Sequence, residues 1–420
     1  MTAPKKFYGF ALSALSFLWR RLMFRTTFVA VTGSLGKTTS SRAVAAVLSV
    51  RYLTNATRED RNSRTGLAET ILRTRWRHRI TVIEIGTNLP GALRRGSWQV
   101  KPDAVVVLNV ARCHTENFQT LEDIAAEKEC LLRPLGSRGV AILNGDDPRV
   151  RAMAKRCRAR VLTFGTSPDS NVWASGISAQ WPCRLSFVVH HGSRSHPVQT
   201  QFVGEHWVYA ALAALAAGLA YDVDLSVAAS ALAGCEPFSA RMQPLPLPSG
   251  ATILRDDFLP SIDACEQALR VMRTSRARRR MLEISDVTDT EQPAEERYQW
   301  IGAAAAESVD FAVFFGEGGE TAAGAAVAAG MKPECARSFP SYQEAGEFLR
   351  SELREGDLLL LRCDMNDHAE RIYWAQFGSV GCSRERCDVI HLCDSCPELR
   401  PGLELAVALP PGQRPAWRLR

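Results

Sequence analysis

The sequence predicts an α/β protein built on two parallel β-sheets, because strand-like and helical patterns alternate twice along the chain. Such alternation is typical of parallel sheets covered by helices on both faces. The first set of apolar, strand-like segments is residues 27–31, 80–85, 104–110 and 139–143. The second set is residues 251–254, 280–284, 311–315 and 358–362. In such sheets a ligand binds beyond the carboxyl ends of the strands.

We divide the chain of 420 residues into four predicted parts. They are an N-terminal apolar and basic helix (1–26), a central domain (27–235), a smaller Rossmann-like α/β C-terminal domain (236–380) and a cysteine-rich tail (381–420). Within the central domain, residues 160–203 are predicted to be rich in β-structure, and residues 208–220 form an alanine-rich helix. The proline-dense residues 234–250 are predicted to link the two domains.

Composition indicates an ordinary globular protein, with 46% hydrophobic and 23% charged residues. The net charge of +6 suits phosphate-bearing ligands or an anionic membrane surface, but it is too weak to indicate a nucleic-acid partner. We therefore expect a cytoplasmic protein with no nucleic acid bound.

An apolar stretch, Phe7 to Trp19, lies between Lys5-Lys6 and Arg20-Arg21. It is shorter than the roughly 20 residues that a membrane-spanning helix needs, and no secretory cleavage pattern precedes the arginines. Two interpretations stay open. The stretch forms a helix packed on the following domain, or a helix in the membrane interface, which would make residues 7–19 a peripheral membrane contact.

A glycine-rich loop follows the first predicted strand in the segment FVAVTGSLGKTTS, residues 28–40. The loop consists of Gly33, Ser34, Leu35, Gly36, Lys37, Thr38 and Thr39. Glycines let backbone amides turn toward a phosphate, and the start of the following helix adds its positive dipole end. Lys37 would neutralise the β- and γ-phosphates, and Thr38 would hold Mg²⁺. The first domain is therefore predicted to be a central parallel-sheet P-loop ATPase domain.

The form Thr-Gly-x-x-Gly-Lys-Thr-Thr resembles the loop of the Mur ligase superfamily, and the order of the later motifs is most similar to that of MurF-like members. The resemblance spans roughly residues 27–372. It implies an ATP- and Mg²⁺-dependent acid–amino-acid ligase in cell wall or envelope polymer biosynthesis. Such enzymes activate a carboxylate as an acyl phosphate, which an amine then attacks to form a C–N bond.

Three residues match the family's magnesium and lysine positions. The resemblance implies that Glu84, in Val-Ile-Glu-Ile-Gly-Thr-Asn, and His114, in Ala-Arg-Cys-His-Thr-Glu, bind Mg²⁺. It also implies that Lys128 is the lysine that is carbamylated. From the residues alone, Glu84 at the end of a buried strand already indicates a hard-cation ligand. For His114, the residues alone leave two interpretations, a metal ligand or an ordinary surface histidine. Lys128 would be interpreted as a solvated lysine.

Further matches concern the nucleotide. Asn144 and Asp147, in Asn-Gly-Asp-Asp, match a nucleotide-side element of the family, although the same residues also suit a β-turn. Arg241 matches an arginine that reaches the ATP phosphates. Asp256, with Asp257 as the second choice, matches an aspartate that acts at the nucleotide. The residues to which the resemblance assigns catalysis are Lys37, Lys128 and Arg241.

The chain departs from the family pattern at three places. His206-Trp207 and the residues after them lack two asparagines that contact adenine in the family, so base recognition is expected to differ. On the side that binds the amine, residues 258–262 and Arg362-Cys363-Asp364 replace the family's usual elements. D-Alanyl-D-alanine is therefore not the expected amine.

Only residues 1–26 precede the strand before the phosphate loop, so we expect a relative lacking the N-terminal UDP-sugar domain. The expected partners are a non-standard acceptor, either a small-molecule or a lipid-linked carboxylate, and an amino acid or other amine. One alternative is a catalytically impaired nucleotide-binding regulatory or scaffold subunit. Another is a P-loop kinase or motor-like ATPase, which would not require the series Glu84, His114 and Lys128.

Four cysteines near the C-terminus have the spacing C-x₄-C-x₅-C-x₂-C, with His391 between them. They are Cys382, Cys387, Cys393 and Cys396. Such a set predicts a structural Zn²⁺ site. Unpaired or redox thiols, and disulfides, remain alternatives.

Overall fold

The computed structural model of the protein describes residues 3–58, 61–86, 89–112, 117–258, 261–288, 290–363, 366–384, 387, 393–396 and 398–399. The chain divides into two compact units. Unit 1 comprises Met1–Ala179 and Arg184–Glu236, and unit 2 comprises Gln180–Cys183 and Pro237–Arg420.

Unit 1 is a nine-stranded sheet with helices. The strands are β1 (Thr27–Thr32), β2 (Thr54–Ala56), β3 (Ile80–Glu84), β4 (Ala104–Val107), β5 (Val140–Asn144), β6 (Arg160–Gly165), β7 (Val172–Ser178), β8 (Ser186–His191) and β9 (Arg194–Gln199). The helices are α1 (Ala3–Leu22), α2 (Lys37–Ser49), α3 (Arg64–Arg73), α4 (Ala92–Val100), α5 (Leu121–Glu129), α6 (Pro148–Met153), α7 (Val208–Ala220) and α8 (Leu225–Ala233).

The strand order of this sheet is β2-β3-β1-β4-β5-β6-β7-β8-β9. Pairing is parallel from β2 to β7 and antiparallel from β7 to β9. Val31 lies opposite Glu84 on β3 and Val106 on β4, and Val107 lies opposite Leu143 on β5. The carboxyl ends of the central strands therefore meet at one edge of the sheet, where the sequence places its polar motifs. Helix α7 packs its buried alanine and leucine side chains on α2.

Helix α1 packs on α3 and α4 through an unusually polar face. Ser13, Ser16 and Arg20 are buried there. Gln99 donates a hydrogen bond to the Ser16 hydroxyl at 2.9 Å, and the Arg20 guanidinium donates to the Val100 carbonyl at 2.6 Å and to the Asp103 carboxylate at 2.9 Å. Among the residues that the structure describes, no helix combines the length and the apolar character needed to span a bilayer.

Unit 2 contains a six-stranded sheet with the order β10-β11-β15-β12-β13-β14. Its strands are β10 (Gln243–Pro246), β11 (Thr252–Arg255), β12 (Arg280–Ile284), β13 (Phe311–Phe315), β14 (Ala336–Phe339) and β15 (Leu358–Arg362). Its helices are α9 (Ile262–Thr274), α10 (Ala294–Ser308), α11 (Gly319–Ala328), α12 (Tyr342–Glu352) and α13 (Glu370–Ala375). Only the pair β10–β11 is antiparallel among these strands.

The predicted α/β fold with two parallel-dominated sheets is confirmed, and two details differ from the prediction. The proline-rich segment 234–250, predicted only as a link between the domains, contains the strand β10. Pro244 and Pro246 are tolerated there because β10 is an edge strand. The other edge strand, β14, was not predicted, because its sequence Ala-Arg-Ser-Phe is short and has no clear apolar alternation.

Candidate active site

The glycine-rich loop between β1 and α2 makes a tight turn against the neighbouring strand. Gly36 has φ of 78°, in the left-handed region that favours glycine, and α2 begins at the next residue. A Cβ atom added to Gly33 would lie 2.8 Å from the Cβ of Leu108. The turn therefore requires glycine at both positions, one for its conformation and one for the close approach of β4.

The loop is held by the residues that follow β4. The side-chain oxygen of Asn109 accepts hydrogen bonds from the amides of Ser34 at 3.0 Å and Leu35 at 2.8 Å. The Asn109 amide group donates in return to the Leu35 carbonyl at 3.1 Å. The Ser34 hydroxyl donates to the Ala111 carbonyl at 2.9 Å. Asn109 was not predicted as a site residue; its position directly after a buried strand was the available signal.

The side chains that open α2 suit a phosphate ligand. The Lys37 ammonium lies over the loop and donates to the carbonyls of Gly33 at 3.0 Å and Ser34 at 2.9 Å. Thr38 is buried at the first turn. Within the described part of the chain, the buried hydroxyls of Thr39 and Ser40 have no hydrogen-bond partner. Buried polar groups are normally satisfied, so these hydroxyls fit donors to a bound anion, and the loop fits a nucleotide phosphate.

Trp207 packs against this loop. An added Cβ on Gly36 would lie 3.7 Å from the Trp207 ring, and only 7% of Trp207 is exposed. Trp207 also contacts the rings of Phe202 and His206, with centroids 6.4 and 4.7 Å away. Trp207, which lies in the stretch that lacks the family's adenine-side asparagines, therefore packs against the phosphate loop.

Glu84 ends β3 at the same edge of the sheet and is 1% exposed. Its Oε1 accepts a hydrogen bond from the Asn62 side chain at 2.8 Å, and its amide donates to the Thr57 hydroxyl at 3.0 Å. A buried carboxylate among hydroxyl and amide groups is a donor set that suits Mg²⁺. Thr38, on the neighbouring loop, could add a hydroxyl to that set. Asn62 and Thr57 were not predicted from the sequence.

Lys128 is 1% exposed, so the interpretation of a solvated lysine, drawn from the residues alone, was wrong. The adjacent Glu127 explains how this end of α5 is fixed. Its carboxylate accepts hydrogen bonds from the amides of Gly91 at 3.0 Å and Leu93 at 2.7 Å, where α4 begins. His114 lies outside the described residues, so its predicted role at Mg²⁺ stays a prediction.

Asn144 and Asp147 make contacts that shape the end of β5. The Asn144 side chain donates to the Leu108 carbonyl at 2.8 Å and accepts from the Asp146 amide at 3.0 Å. The Asp147 carboxylate accepts from the Val110 amide at 2.7 Å and caps α6. These contacts favour the turn interpretation and leave the predicted nucleotide contacts a prediction.

Asp146, between them, accepts hydrogen bonds from the Thr166 amide at 2.6 Å and from the Tyr209 hydroxyl at 3.2 Å. Burial, and secondly the Asp146 charge, raises the pKa of Tyr209. Tyr209 therefore stays a neutral donor that connects the start of α7 to the end of β5.

In unit 2, Arg241 lies in a strained turn. Its neighbours Ala240 and Met242 have φ of 59° and 50°, which is costly for residues with a side chain. The Arg241 guanidinium lies 4.4 Å from the centre of the Phe258 ring. The Asp256 carboxylate accepts a hydrogen bond from the Met242 amide at 3.1 Å. Asp256 thereby fixes the turn that carries Arg241.

Buried charges cluster at the carboxyl ends of β11 and β15. Asp256 forms an ion pair with Arg362, and both are buried. Burial raises the pKa of Asp256, and the nearby Arg362 opposes that shift. Arg255 lies between Asp257, at 2.9 Å, and Asp394, at 2.9 and 3.0 Å. Arg362 belongs to Arg362-Cys363-Asp364, the element that departs from the family pattern on the amine side, and it is paired with Asp256 inside unit 2.

Glu283 on β12 is fully buried, and neither of its carboxylate oxygens has a hydrogen-bond partner among the described residues. Burial, then the charges of Asp257 and Asp367, raises the pKa of Glu283 well above its usual range. Burial therefore favours the protonated form of Glu283.

The predicted four-cysteine zinc site is not assembled. Cys382, Cys387, Cys393 and Cys396 are free thiols. Three potential metal ligands do meet among the described residues, but they are His368, Glu370 and Cys393. Their ligand atoms all lie within 4.8 Å of one another. The physical reason is that the cysteines have different partners. The Cys382 sulfur accepts from Arg371 at 3.8 Å, and Cys387 engages Asn366 and His368 through its backbone.

We expect an Asn109→Ala substitution to loosen the phosphate loop, because three hydrogen bonds to Ser34 and Leu35 are lost. Nucleotide affinity should fall about 10- to 100-fold, which titration calorimetry with ADP would measure. Asn171→Ala is the matched control, since Asn171 bonds to Thr163, on β6. Equal ADP affinities of the Asn109→Ala variant and the unchanged protein would contradict this role.

Each of the two units matches a family model from the Mur ligases. Residues 31–218 match the family model described as "Mur ligase middle domain", and residues 240–362 match "Mur ligase, glutamate ligase domain". Together these matches cover about three quarters of the chain.

Individual proteins are similar over most of the chain. The UDP-N-acetylmuramoyl-tripeptide--D-alanyl-D-alanine ligase of Mycobacterium tuberculosis is 27% identical over 395 residues, which are 89% of this chain and 75% of that protein. A crystal structure of MurF from Acinetobacter baumannii has a TM-score of 0.77 at 23% identity, covering 84% of this chain and 77% of that one.

MurF of Thermotoga maritima in complex with ADP has a TM-score of 0.74 at 18% identity, covering 88% of this chain and 83% of that chain. The two solved structures show that the fold is shared. Since both units also match the family models, the chain belongs to the Mur ligase superfamily of ATP-dependent carbon–nitrogen ligases.

Proposed function

We propose that the chain joins a carboxylate to an amine through an acyl phosphate, at the carboxyl edge of the unit 1 sheet. The observation that carries this proposal is the phosphate loop at Gly33–Thr39 beside the buried carboxylate of Glu84. A carboxylate oxygen of the acceptor attacks the γ-phosphorus of ATP, and ADP leaves. The amine nitrogen then attacks the acyl carbon, phosphate leaves, and the nitrogen loses a proton as the amide forms.

The roles of individual residues follow from their chemistry. Loop amides and Lys37 stabilise the charge that builds up on the transferring phosphoryl group. Mg²⁺, when bound, neutralises phosphate charge, and Thr38, Glu84 and His114 are the proposed ligands. A carbamylated Lys128 would add a further carboxylate. The side chain of Lys128 is buried inside unit 1 and not solvated, which supports this role.

Four further side chains are proposed to act at the nucleotide. Arg241 contributes positive charge toward the phosphates, and the strained turn around it supports a functional position. Asp256 positions that turn through the Met242 amide. Asn144 and Asp147 shape the end of β5 on the nucleotide side.

We infer that the substrates differ from those in the names of the curated relatives, a UDP-N-acetylmuramoyl-tripeptide and D-alanyl-D-alanine. The amine side supports this inference, since Arg362 lies in an element that departs from the family pattern and is buried in a pair with Asp256. A small-molecule or lipid-linked carboxylate is the proposed acceptor class, and an amino acid or other amine the proposed nucleophile.

A second proposal concerns α1, whose outward face is apolar while its packed face is polar. Leu18 is 63% exposed, and Phe10, Leu15 and Leu22 are exposed beside it, whereas Ser16 is fully buried. A helix stabilised only by packing on its own domain would have the opposite arrangement. We propose that this exposed face, called the α1 face, contacts an anionic membrane surface.

The surroundings of the α1 face favour a lipid surface. Trp76 and Trp98 are exposed beside it. The Trp76 ring lies 5.6 Å from the ring of Trp19, and the Trp98 carbonyl accepts a hydrogen bond from Arg21 at 2.8 Å. Tryptophan is enriched at membrane interfaces. The exposed basic residues that adjoin these elements in sequence are Arg25, Arg75, Arg77, Arg94 and Arg95. They supply positive charge that attracts anionic headgroups.

For the ligase reaction, we expect phosphate release from ATP only when an acceptor and an amine are both supplied. Lys37→Ala should lower kcat about 100-fold or more, because a charge that stabilises the transition state is removed. Lys155→Ala, at an exposed lysine of unit 1, is the control and should keep full turnover.

Screening carboxylate acceptors against amino acids by phosphate release identifies the substrates. Full turnover by the Lys37→Ala variant would contradict the mechanism. ADP binding without phosphate release for any pair would instead favour the nucleotide-binding scaffold, the alternative that the absence of the two adenine-side asparagines and the element Arg362-Cys363-Asp364 suggest.

For the α1 face, we expect co-sedimentation with vesicles containing phosphatidylglycerol and much weaker binding to phosphatidylcholine vesicles or at high salt. The double substitution Leu18→Glu and Leu22→Glu should abolish binding, because it places charge on the lipid-facing surface. Val227→Glu, on α8, is the matched control at an exposed aliphatic residue. The proposal would be overturned if the protein were a monomer that binds neither type of vesicle. It would also be overturned if the protein self-associated and the double substitution dissociated that assembly.

A further inference from the structure

Outside the candidate active site, three metal-ligating side chains meet inside unit 2. Glu370 is the first residue of α13, His368 lies two residues before it, and Cys393 lies in the segment near the C-terminus; all three are buried. The Cys393 sulfur is 3.3 Å from His368 Nδ1, and His368 Nδ1 is 3.8 Å from Glu370 Oε2. An imidazole nitrogen, a carboxylate oxygen and a thiol sulfur therefore converge on one point.

These separations suit one tetrahedral ion. Zinc bonds to nitrogen, oxygen and sulfur are about 2.0 to 2.3 Å long, so neighbouring ligands of a tetrahedral zinc lie roughly 3.3 to 3.8 Å apart. The two distances at His368 Nδ1 fall within this range. The third pair, Cys393 Sγ and Glu370 Oε2, lies within 4.8 Å, close enough for the three atoms to approach one ion.

The hydrogen bonds of His368 fix which ring nitrogen is available to a metal. His368 Nε2 lies 3.3 Å from the Cys387 carbonyl oxygen, which can only accept, so Nε2 carries the hydrogen. In a neutral imidazole, Nδ1 then has the lone pair, and it is Nδ1 that faces Cys393 and Glu370. A histidine whose other nitrogen donates to a carbonyl is the usual arrangement in metal sites.

The Glu370 carboxylate gives independent support. Its Oε1 accepts a long hydrogen bond from the Cys393 amide at 3.4 Å. Its Oε2 is buried without a hydrogen-bond partner among the described residues. A buried carboxylate oxygen that lacks a donor is costly unless a cation satisfies it.

We propose that His368 Nδ1, Glu370 Oε2 and Cys393 Sγ bind a zinc ion, with water in the fourth position. The mixed nitrogen, oxygen and sulfur set is borderline in softness and suits zinc better than Mg²⁺ or Ca²⁺. On binding, the Cys393 thiol loses its proton to solvent and the thiolate bonds to the metal. This ligand set shares only Cys393 with the four cysteines singled out from the sequence.

The ion would fasten the C-terminal segment to the core of unit 2. Asp394, next to Cys393, accepts hydrogen bonds from Trp374 at 2.9 Å and from Arg255 at 2.9 Å. Leu399 is fully buried in the same apolar cluster as Trp374. Zinc therefore acts as a structural clamp that joins this segment to α13.

The test is the metal content of the purified full-length protein, measured by plasma mass spectrometry after dialysis with zinc. We expect about one zinc per chain. The cobalt-substituted protein should show thiolate-to-cobalt charge-transfer absorption. His368→Ala and Cys393→Ser should lower zinc affinity at least 10-fold and remove that absorption. Glu370→Gln keeps the shape of the side chain and should weaken zinc binding even if the other variants fold poorly.

Cys382→Ser and Cys396→Ser are the matched controls, since both thiols lie in the same tail but outside the proposed ligand set. They should keep zinc and the cobalt spectrum. Loss of zinc from the Cys396→Ser variant equal to the loss from Cys393→Ser would overturn the proposal in favour of a four-thiolate site. A wild-type chain that takes up no zinc, or a Glu370→Gln variant with unchanged zinc affinity, would also overturn it.

Discussion

The phosphate loop of unit 1 keeps its shape because the end of the neighbouring strand binds its peptide groups. Strands β1 and β4 are parallel neighbours, so the residues that follow each strand emerge side by side. Asn109 can therefore receive the amides of Ser34 and Leu35 while it donates to the Leu35 carbonyl. Each such hydrogen bond contributes roughly 0.5 to 1.5 kcal/mol. Because these hydrogen bonds already order the loop, it loses little conformational freedom when a nucleotide binds, and binding is stronger for that reason.

Unit 2 uses the same geometry with charged side chains. Arg255 and Arg362 end two adjacent parallel strands, and each is buried with an aspartate. Buried ion pairs add little net stability, because both charges lose their hydration. Their contribution here is positional. Asp256 pairs with Arg362 and also holds the turn before β10, while Arg255 receives Asp394 from the C-terminal segment.

The sequence predicted those parts of the structure that depend on local patterns. Apolar runs between helical patterns gave the central strands of both sheets, and Gly33 and Gly36 marked a turn that only glycine permits. Edge strands were harder, since β10 contains prolines and β14 is short and partly polar. Their pairing is decided by neighbouring strands rather than by their own residues.

The features of the site that local patterns did not predict depend on partners distant in the chain. Asn109 acts on a loop some 75 residues earlier. Lys128 lies beside glutamates in the sequence, and nothing local indicates that its helix face is buried. The cysteine spacing indicated a four-thiolate site, whereas Cys393 meets His368 and Glu370 from 25 and 23 residues away. The spacing of residues in a sequence indicates which side chains form a site only when those residues belong to one local motif.

The central claim is that the acceptor carboxylate is activated by phosphorylation, and oxygen-isotope transfer tests it most directly. The acceptor is supplied with ¹⁸O in its carboxylate, together with ATP and the amine, and the products are analysed by mass spectrometry. An acyl-phosphate intermediate transfers one ¹⁸O to the released phosphate in every turnover, because that oxygen leaves with the phosphoryl group. Released phosphate that carries no ¹⁸O during amide formation, or ¹⁸O found in AMP, would contradict the account.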